Sequence, residues 1–295
     1  MTSDQAARCK KIKEVLFIVL ALNWSVALAK IIFGIFTHFT SMAADGFHSL
    51  ADGTSNIIGL IGITLACRPA DKDHPYGHKK YETLFSLCIA GLLFFVCYGL
   101  LQKAIIRFQH PVSPQINMIS LAVMIVTTAV NILVMNYEYR QGIGIKSDIL
   151  VSDSMHTRAD IFTSASVILA MAFIKMGYPV FDTIVTVMIA LFIAFAAFSI
   201  VKQSSNVLCD AIMLDEKKVA AIVMSVKGVM ACHKIRTRGR EDDIHMDLHV
   251  QVNQDMHVDR AHQVCYEIEG AIKSDIQGVT DVVVHIEPKE RSRKK

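Results

Sequence analysis

Charge is what this sequence has little of. Asp, Glu, Lys and Arg supply 19% of its 295 residues while hydrophobic types supply 53%, and a mean hydropathy of +0.41 is far too apolar for a soluble chain of this length. The net charge of +3 gives no case for a nucleic-acid partner. The seven cysteines, Cys9, Cys67, Cys88, Cys97, Cys209, Cys232 and Cys265, never fall in C-x-x-C spacing, so they are expected to be free thiols. Neither H-E-x-x-H nor G-x-S-x-G occurs, which removes the common signatures of zinc peptidases and serine hydrolases.

What the sequence does have is long apolar runs. Six of them, at 15–36, 42–66, 84–107, 116–137, 149–174 and 180–201, reach the roughly 20 residues needed to cross about 30 Å of hydrocarbon. The first, with its basic start and Ala-Leu-Ala at 27–29, resembles a signal peptide but continues apolar to Phe36 and is read as a span. Arg8, Lys10, Lys11 and Lys13 precede it, Arg68, Lys72, Lys79 and Lys80 follow the second span, and Arg140 and Lys146 follow the fourth. The other loops carry almost no basic residue beyond Lys175, so both termini are expected in the cytoplasm, of a bacterial inner membrane. This gives a polytopic α-helical membrane domain of six transmembrane helices over 1–212 and a soluble cytoplasmic domain over 213–295.

Two octapeptides inside the apolar runs share a layout: DGFHSLAD at 45–52 and DSMHTRAD at 153–160. On a helix that turns about 100° per residue, each places its acids and its histidine on one stripe. Ionisable groups at membrane depth are costly and mark functional sites. The second and fifth spans run in opposite directions, so His48 and Asp52 can meet His156 and Asp160 in the bilayer. Two imidazoles and two carboxylates suit tetrahedral Zn2+, with Fe2+, Co2+ and Cd2+ also compatible, while the absence of thiolate argues against a purely structural zinc site or Cu(I). Asp45 and Asp153, one turn before each histidine, are read as hydrogen-bonding partners of the imidazoles or as charges on the approach path. Four protein ligands would close such a site to water, which speaks against an enzyme. Arg158 and Lys30 are expected to snorkel or to pair with carboxylates.

The loop after the second span reads CRPADKDHPYGHKKYE, and Asp71, His74 and His78 within it can wrap a metal with an open position. From 213 onward the periodicity predicts a helix at 215–226, strands at 229–238 and 243–252, a helix at 258–274 and a strand at 280–287. This αββαβ order gives an α+β sandwich with one polar sheet face. It holds half of the twelve histidines, His233, His245, His249, His257, His262 and His285, with Glu287 beside the last, a concentration that favours metal binding.

PADKDHPYGHKKYE, together with HSLAD and HTRAD in the second and fifth of six spans, resembles the cation diffusion facilitator family of divalent-metal transporters, over essentially the whole chain. The resemblance implies a transport site at His48, Asp52, His156 and Asp160, and an inner-loop site at Asp71, His74 and His78. It further implies a metallochaperone-like cytoplasmic dimer with zinc held by His233, His249, His262, His285 and Glu287, while His245 and His257 match no ligand position. Family members more often carry Asp where Glu287 stands. Lys80 and Asp210 match a charge pair near the dimer hinge of related transporters. Histidine at the first transport position is the variant associated with zinc, and some magnetosome relatives keep iron as a rival. The expectation is a homodimeric, proton-coupled exporter of Zn2+, with Fe2+, Mn2+ or Cd2+ efflux, or a transport-inactive sensor, as alternatives.

Overall fold

A computed structural model describes residues 3–36, 50, 53–109, 118–175 and 180–289. It divides the chain into two compact units, Met1–Ser204 and Ser205–Lys295.

The first unit is all helical. Its helices are α1 (Ser3–Phe36), α2 (Thr54–Ala66), α3 (Lys80–Gln109), α4 (Met118–Gly144), α5 (Asp148–Lys175) and α6 (Val180–Leu208). Ala6–Ala29, Lys80–Ile106 and Val187–Leu208 are long and apolar enough to cross a membrane by composition, and α2 is a shorter apolar helix. Helices α4 and α5 are also of spanning length, and they carry the ionisable residues discussed below. Phe95, Leu133 and Phe195, each at least 70% exposed, form part of an outer surface suited to lipid rather than water.

Small residues set the helix spacing. A Cβ on Gly62 would lie 2.5 Å from Phe85 and 2.9 Å from Ile149, and one on Gly59 would lie 3.0 Å from Ile149. Helix α2 therefore packs against α3 and α5 at a distance that only glycine permits. Around this contact Ile12, Leu16, Ile63, Val134, Ile149 and Leu150 close one core, and Leu93, Cys97, Ala159, Ala190 and Ile193 close a second between α3, α5 and α6.

One end of the bundle is tied by charge. The Arg8 guanidinium donates to Glu82 Oε2 from two nitrogens at 3.2 Å, to Ile145 O at 2.9 Å and to Lys146 O at 2.8 Å. The Ser147 hydroxyl donates to Glu82 Oε1 at 2.5 Å. Arg8 thus pins α1 to α3 and to the turn between α4 and α5, and it satisfies carbonyls that the end of α4 leaves open.

The cysteine expectation needs correction at two positions: Cys9 and Cys67 form a disulfide rather than free thiols. Cys67 caps the C-terminus of α2 and Cys9 lies on α1, and packing of the two helices brings their Cα atoms to 6.1 Å, inside the reach of the bond. Cys88, Cys97, Cys209, Cys232 and Cys265 are free.

The second unit carries α7 (Glu216–Met224), β1 (Ala231–Arg240), β2 (Asp243–Val252), α8 (Val258–Asp275) and β3 (Val279–Pro288), the expected αββαβ order with boundaries shifted by one or two residues. The sheet order is β1-β2-β3, antiparallel between the first pair and parallel between the second. Asp215 and His257 cap α7 and α8 by accepting from the backbone N–H two residues on. Val219 and Val223 of α7 and Val264, Ile268 and Ile272 of α8 bury one face of the sheet against Met246, Leu248, Val250 and Val252. The alternate residues of β2 are left on the other face.

Glu82 is 1% exposed and Arg8 only 18%. Arg8→Ala is therefore expected to strand a buried carboxylate and cost about 3 kcal/mol, read as a lowered melting midpoint of the purified protein, with Arg8→Ala/Glu82→Gln regaining much of the loss.

Candidate metal centres

In the membrane unit the fifth-span octapeptide lies within α5, and its stripe faces inward. His156 is 4% exposed and its Nδ1 has no hydrogen-bond partner among the described residues, while Asp153 is fully buried. A buried imidazole nitrogen left unbonded costs free energy unless something coordinates it, which fits a cation ligand. Asp160, one turn further on, is partly buried. A hydrogen-bond chain approaches from neighbouring helices: the amide of Asn23 on α1 donates to Asn56 Oδ1 on α2 at 3.2 Å, and the amide of Asn56 donates to Asp153 Oδ2. His48, Asp52 and Asp45 lie outside the described residues. Arg158, expected to snorkel or to pair with a carboxylate, instead stands over the rings of Phe162 and Phe192, 5.5 and 5.4 Å from their centroids.

The loop between α2 and α3 gathers Asp71, His74 and His78, whose ligand atoms all lie within 4.8 Å of one another. Asp71 Oδ1 accepts the backbone N–H groups of Asp73 and His74 at 3.0 and 2.7 Å, an Asx-type turn that folds the loop onto its own acid. Gly77, with φ of 83°, turns the chain back so that His78 reaches the same carboxylate. His78 Nδ1 lies 3.0 Å from Pro69 O, so this nitrogen donates, and Nε2 then faces Asp71 Oδ2 at 3.4 Å. Two lone-pair atoms at that separation call for a proton or a cation between them. The Asp71 carboxyl is held below its ordinary value, first by the His74 backbone N–H and then by the His74 and His78 side chains, against partial desolvation.

In the cytoplasmic unit the site is built by strand register. A bulge in β1 between His233 and Arg236, with Lys234 at φ 51°, sets His233 opposite His249, and the parallel pairing of β2 with β3 sets His249 opposite His285. Three histidines on three strands thus form one row, and Glu287 lies two residues beyond His285 on the same face. Its Oε1 is 2.7 Å from His249 Nδ1, its Oε2 is 3.2 Å from His233 Nε2, and His285 Nε2 stands at 3.9 Å. Ligand atoms of His233, His249 and Glu287 converge within 4.8 Å. The Glu287 carboxyl is held below its ordinary value chiefly by the bond to His249, with burial opposing and His233 and Lys234 assisting. His262 stays outside this group: its ring stacks edge-on against Tyr266 of the same helix at 4.7 Å. His245 sits beside Asp243 at 3.6 Å, His257 serves as the α8 cap, and Asp210 lies 4.0 Å from Arg238.

Sequence reading missed Glu138 of α4, which is fully buried with neither carboxylate oxygen bonded among the described residues, its carboxyl lying against that of Asp153. A lone acid one residue past an apolar run gave only a faint signal, and its partner is fifteen residues away in sequence, across a helix turn.

Residues 16–209 match the cation efflux transmembrane domain, and residues 213–289 match the cytoplasmic domain of cation efflux proteins. An uncharacterised transporter of Methanocaldococcus jannaschii is 29% identical over 94% of this chain and 99% of its own length. The manganese efflux system protein MneS of Bacillus subtilis is 27% identical over 89% of this chain and 90% of its own. The cation-efflux pump FieF of Shewanella oneidensis is 26% identical over 92% and 94%. Solved MamM C-terminal domains cover 25% of this chain and 94% of their own, at 23% identity and a TM-score of 0.25. With the transmembrane match spanning well over half of its residues, the chain belongs to the cation diffusion facilitator family of divalent-cation efflux transporters.

Proposed function

We propose that this chain exports a divalent metal from the cytoplasm as a homodimer, in exchange for protons, with Zn2+ as the first candidate. The observation that carries the reading is His156: buried, unbonded at Nδ1, and on one stripe with Asp160 in a helix of a cation efflux domain. His48 and Asp52 would complete the set from the second span. A histidine must shed its proton to bind metal, so metal and protons compete for His48 and His156. Facing the cytoplasm, metal displaces protons; after the bundle rocks outward, external protons displace metal. Asp71, His74 and His78 receive the ion at the inner mouth, and Asp45 and Asp153 steer it.

On this reading both termini are cytoplasmic and the membrane is a bacterial inner membrane. Metal held by His233, His249 and Glu287, with His285 as a further ligand, tightens the cytoplasmic dimer and biases the conformational equilibrium by its differential affinity. A second metal has a specific argument behind it: MneS and MneP of Bacillus subtilis carry manganese in their names, and a magnetosome protein MamB of Magnetospira is 23% identical. Mn2+ and Fe2+ are thus the alternative cargoes, ahead of Cd2+.

The flux experiment uses proteoliposomes carrying a pH dye and loaded against Zn2+, Mn2+, Fe2+ and Cd2+. Wild type is expected to move protons against Zn2+, and Asp160→Ala is expected to abolish that flux while the dimer persists. No flux with any metal from correctly oriented wild type would favour a sensor or assembly role instead.

The cytoplasmic site predicts its own pH dependence. Glu287 is depressed below its ordinary value, so the charge that holds His233 and His249 is present at neutral pH and lost as pH falls through that lowered value. A histidine must also be neutral to coordinate metal, so protons compete with Zn2+ for the same ring nitrogens. Calorimetric titration of the 205–295 fragment with Zn2+ is expected to weaken steadily from pH 7.5 to pH 5.5 and to fail with His249→Ala.

A further inference from the structure

Glu138 has no role in the export reading, and it stands beside Asp153, which that reading uses only to steer the ion. Glu138 of α4 is 0% exposed with both oxygens unbonded among the described residues, and Asp153 of α5 is 0% exposed with Oδ1 unbonded. They lie against one another. Their only described donor is the Asn56 amide on α2, bonded to Asp153 Oδ2 and itself taken up at Oδ1 by Asn23 of α1. A chain of neutral amides that ends in one donor leaves three of the four oxygens without a donor among the described residues. No Lys, Arg or His among the described residues bonds to either group. Burying two facing carboxylates in this way costs several kcal/mol for each, unless a proton or a cation lies between them.

We infer that Glu138 and Asp153 form a second cation site of the membrane domain, one helical turn from His156, taking a hard, partly hydrated divalent ion of the Mn2+ class. The chemistry of the donors selects the ion. All free donor atoms of the pair are carboxylate oxygens, the preference of Mg2+ and Mn2+ rather than Zn2+ or Cu2+. Hard ions of that size keep several waters and are commonly held by only one or two carboxylates. Among the described residues no third titratable ligand joins the two acids.

The position gives the site a use. Asp153 precedes His156 by three residues, about 4.5 Å along the axis of α5. The Nδ1 of His156 is a second, independent unbonded donor on the same stripe. An ion held by Glu138 and Asp153 reaches His156 by exchanging one ligand at a time, without crossing apolar space unliganded. The site is thus a way station toward the bundle end pinned by Arg8. Its place on a path rests on the export reading; its existence does not.

The test counts bound Mn2+ by electron paramagnetic resonance on the purified full-length protein, for wild type, Asp160→Ala, Glu138→Gln and Asp153→Asn. Glu138→Gln and Asp153→Asn are each expected to bind one Mn2+ fewer per chain than wild type, and Asp160→Ala to retain that ion. Because Glu138→Gln removes one of two facing charges, it is also expected to melt higher than wild type in EDTA, a readout that separates loss of the ion from loss of the fold. An unchanged Mn2+ count in both carboxylate variants overturns the proposal. So does an infrared carboxylic-acid band, absent from Glu138→Gln, that saturating Mn2+ leaves in place, since a proton would then bridge the pair. Failure of the export reading would appear elsewhere, as absent flux with the Mn2+ count intact.

Discussion

A charge inside a low-dielectric bundle must be met by an opposite charge, a proton or a ring of donors, and this requirement organises the membrane unit. Where a partner is built in, the charge ties the structure: Glu82 receives Arg8 and the Ser147 hydroxyl, and through them α1, α3 and the α4–α5 turn are held at one end. Elsewhere the described residues leave buried polar atoms unbonded. His156, Asp153 and Glu138 are buried as thoroughly as the leucines around them, yet their polar atoms outnumber the donors supplied. The satisfied end is a tie, and the unsatisfied interior is what the proposed cation sites rest on.

The cytoplasmic unit solves the same problem with a sheet in place of a bundle. Its polar face gathers imidazoles by register, and a single acid, Glu287, collects them. The bulge after His233 is the pivotal irregularity. Without it, β1 would present its residues one place out of step and the row across three strands would not form. The loop site uses a third device, a turn folded onto its own aspartate with a glycine at positive φ to bring His78 around.

Much of this was legible in the sequence because it is periodic. Strand alternation from Asp243 to Val252 and the apolar runs follow directly from side-chain direction, and the paired octapeptides stand out because they interrupt apolar texture with charge at helical spacing. The loop triad needed only its short spacing. What was hidden depends on contacts between distant segments. The Cys9–Cys67 bond needs α1 and α2 side by side, which no spacing rule states. Glu138 looked like an ordinary acid at the end of an apolar run until α5 was laid beside α4. His262, grouped with the other histidines by resemblance, lies on a helix face against Tyr266 rather than in the sheet row.

The parallel pairing of β2 with β3 has a consequence for biosynthesis. Parallel neighbours cannot be joined by a tight turn, so α8 must cross over before β3 can dock, and the histidine row spans the first, second and last strands of the domain. The row therefore does not exist in any partial chain: a ribosome must deliver residues through Glu287 before His233 and His249 acquire their acid. A cation that binds only the finished sheet stabilises it by mass action, by about 2.7 kcal/mol at a hundredfold excess over its dissociation constant. Any cation the row takes up is therefore a ligand of the complete domain alone.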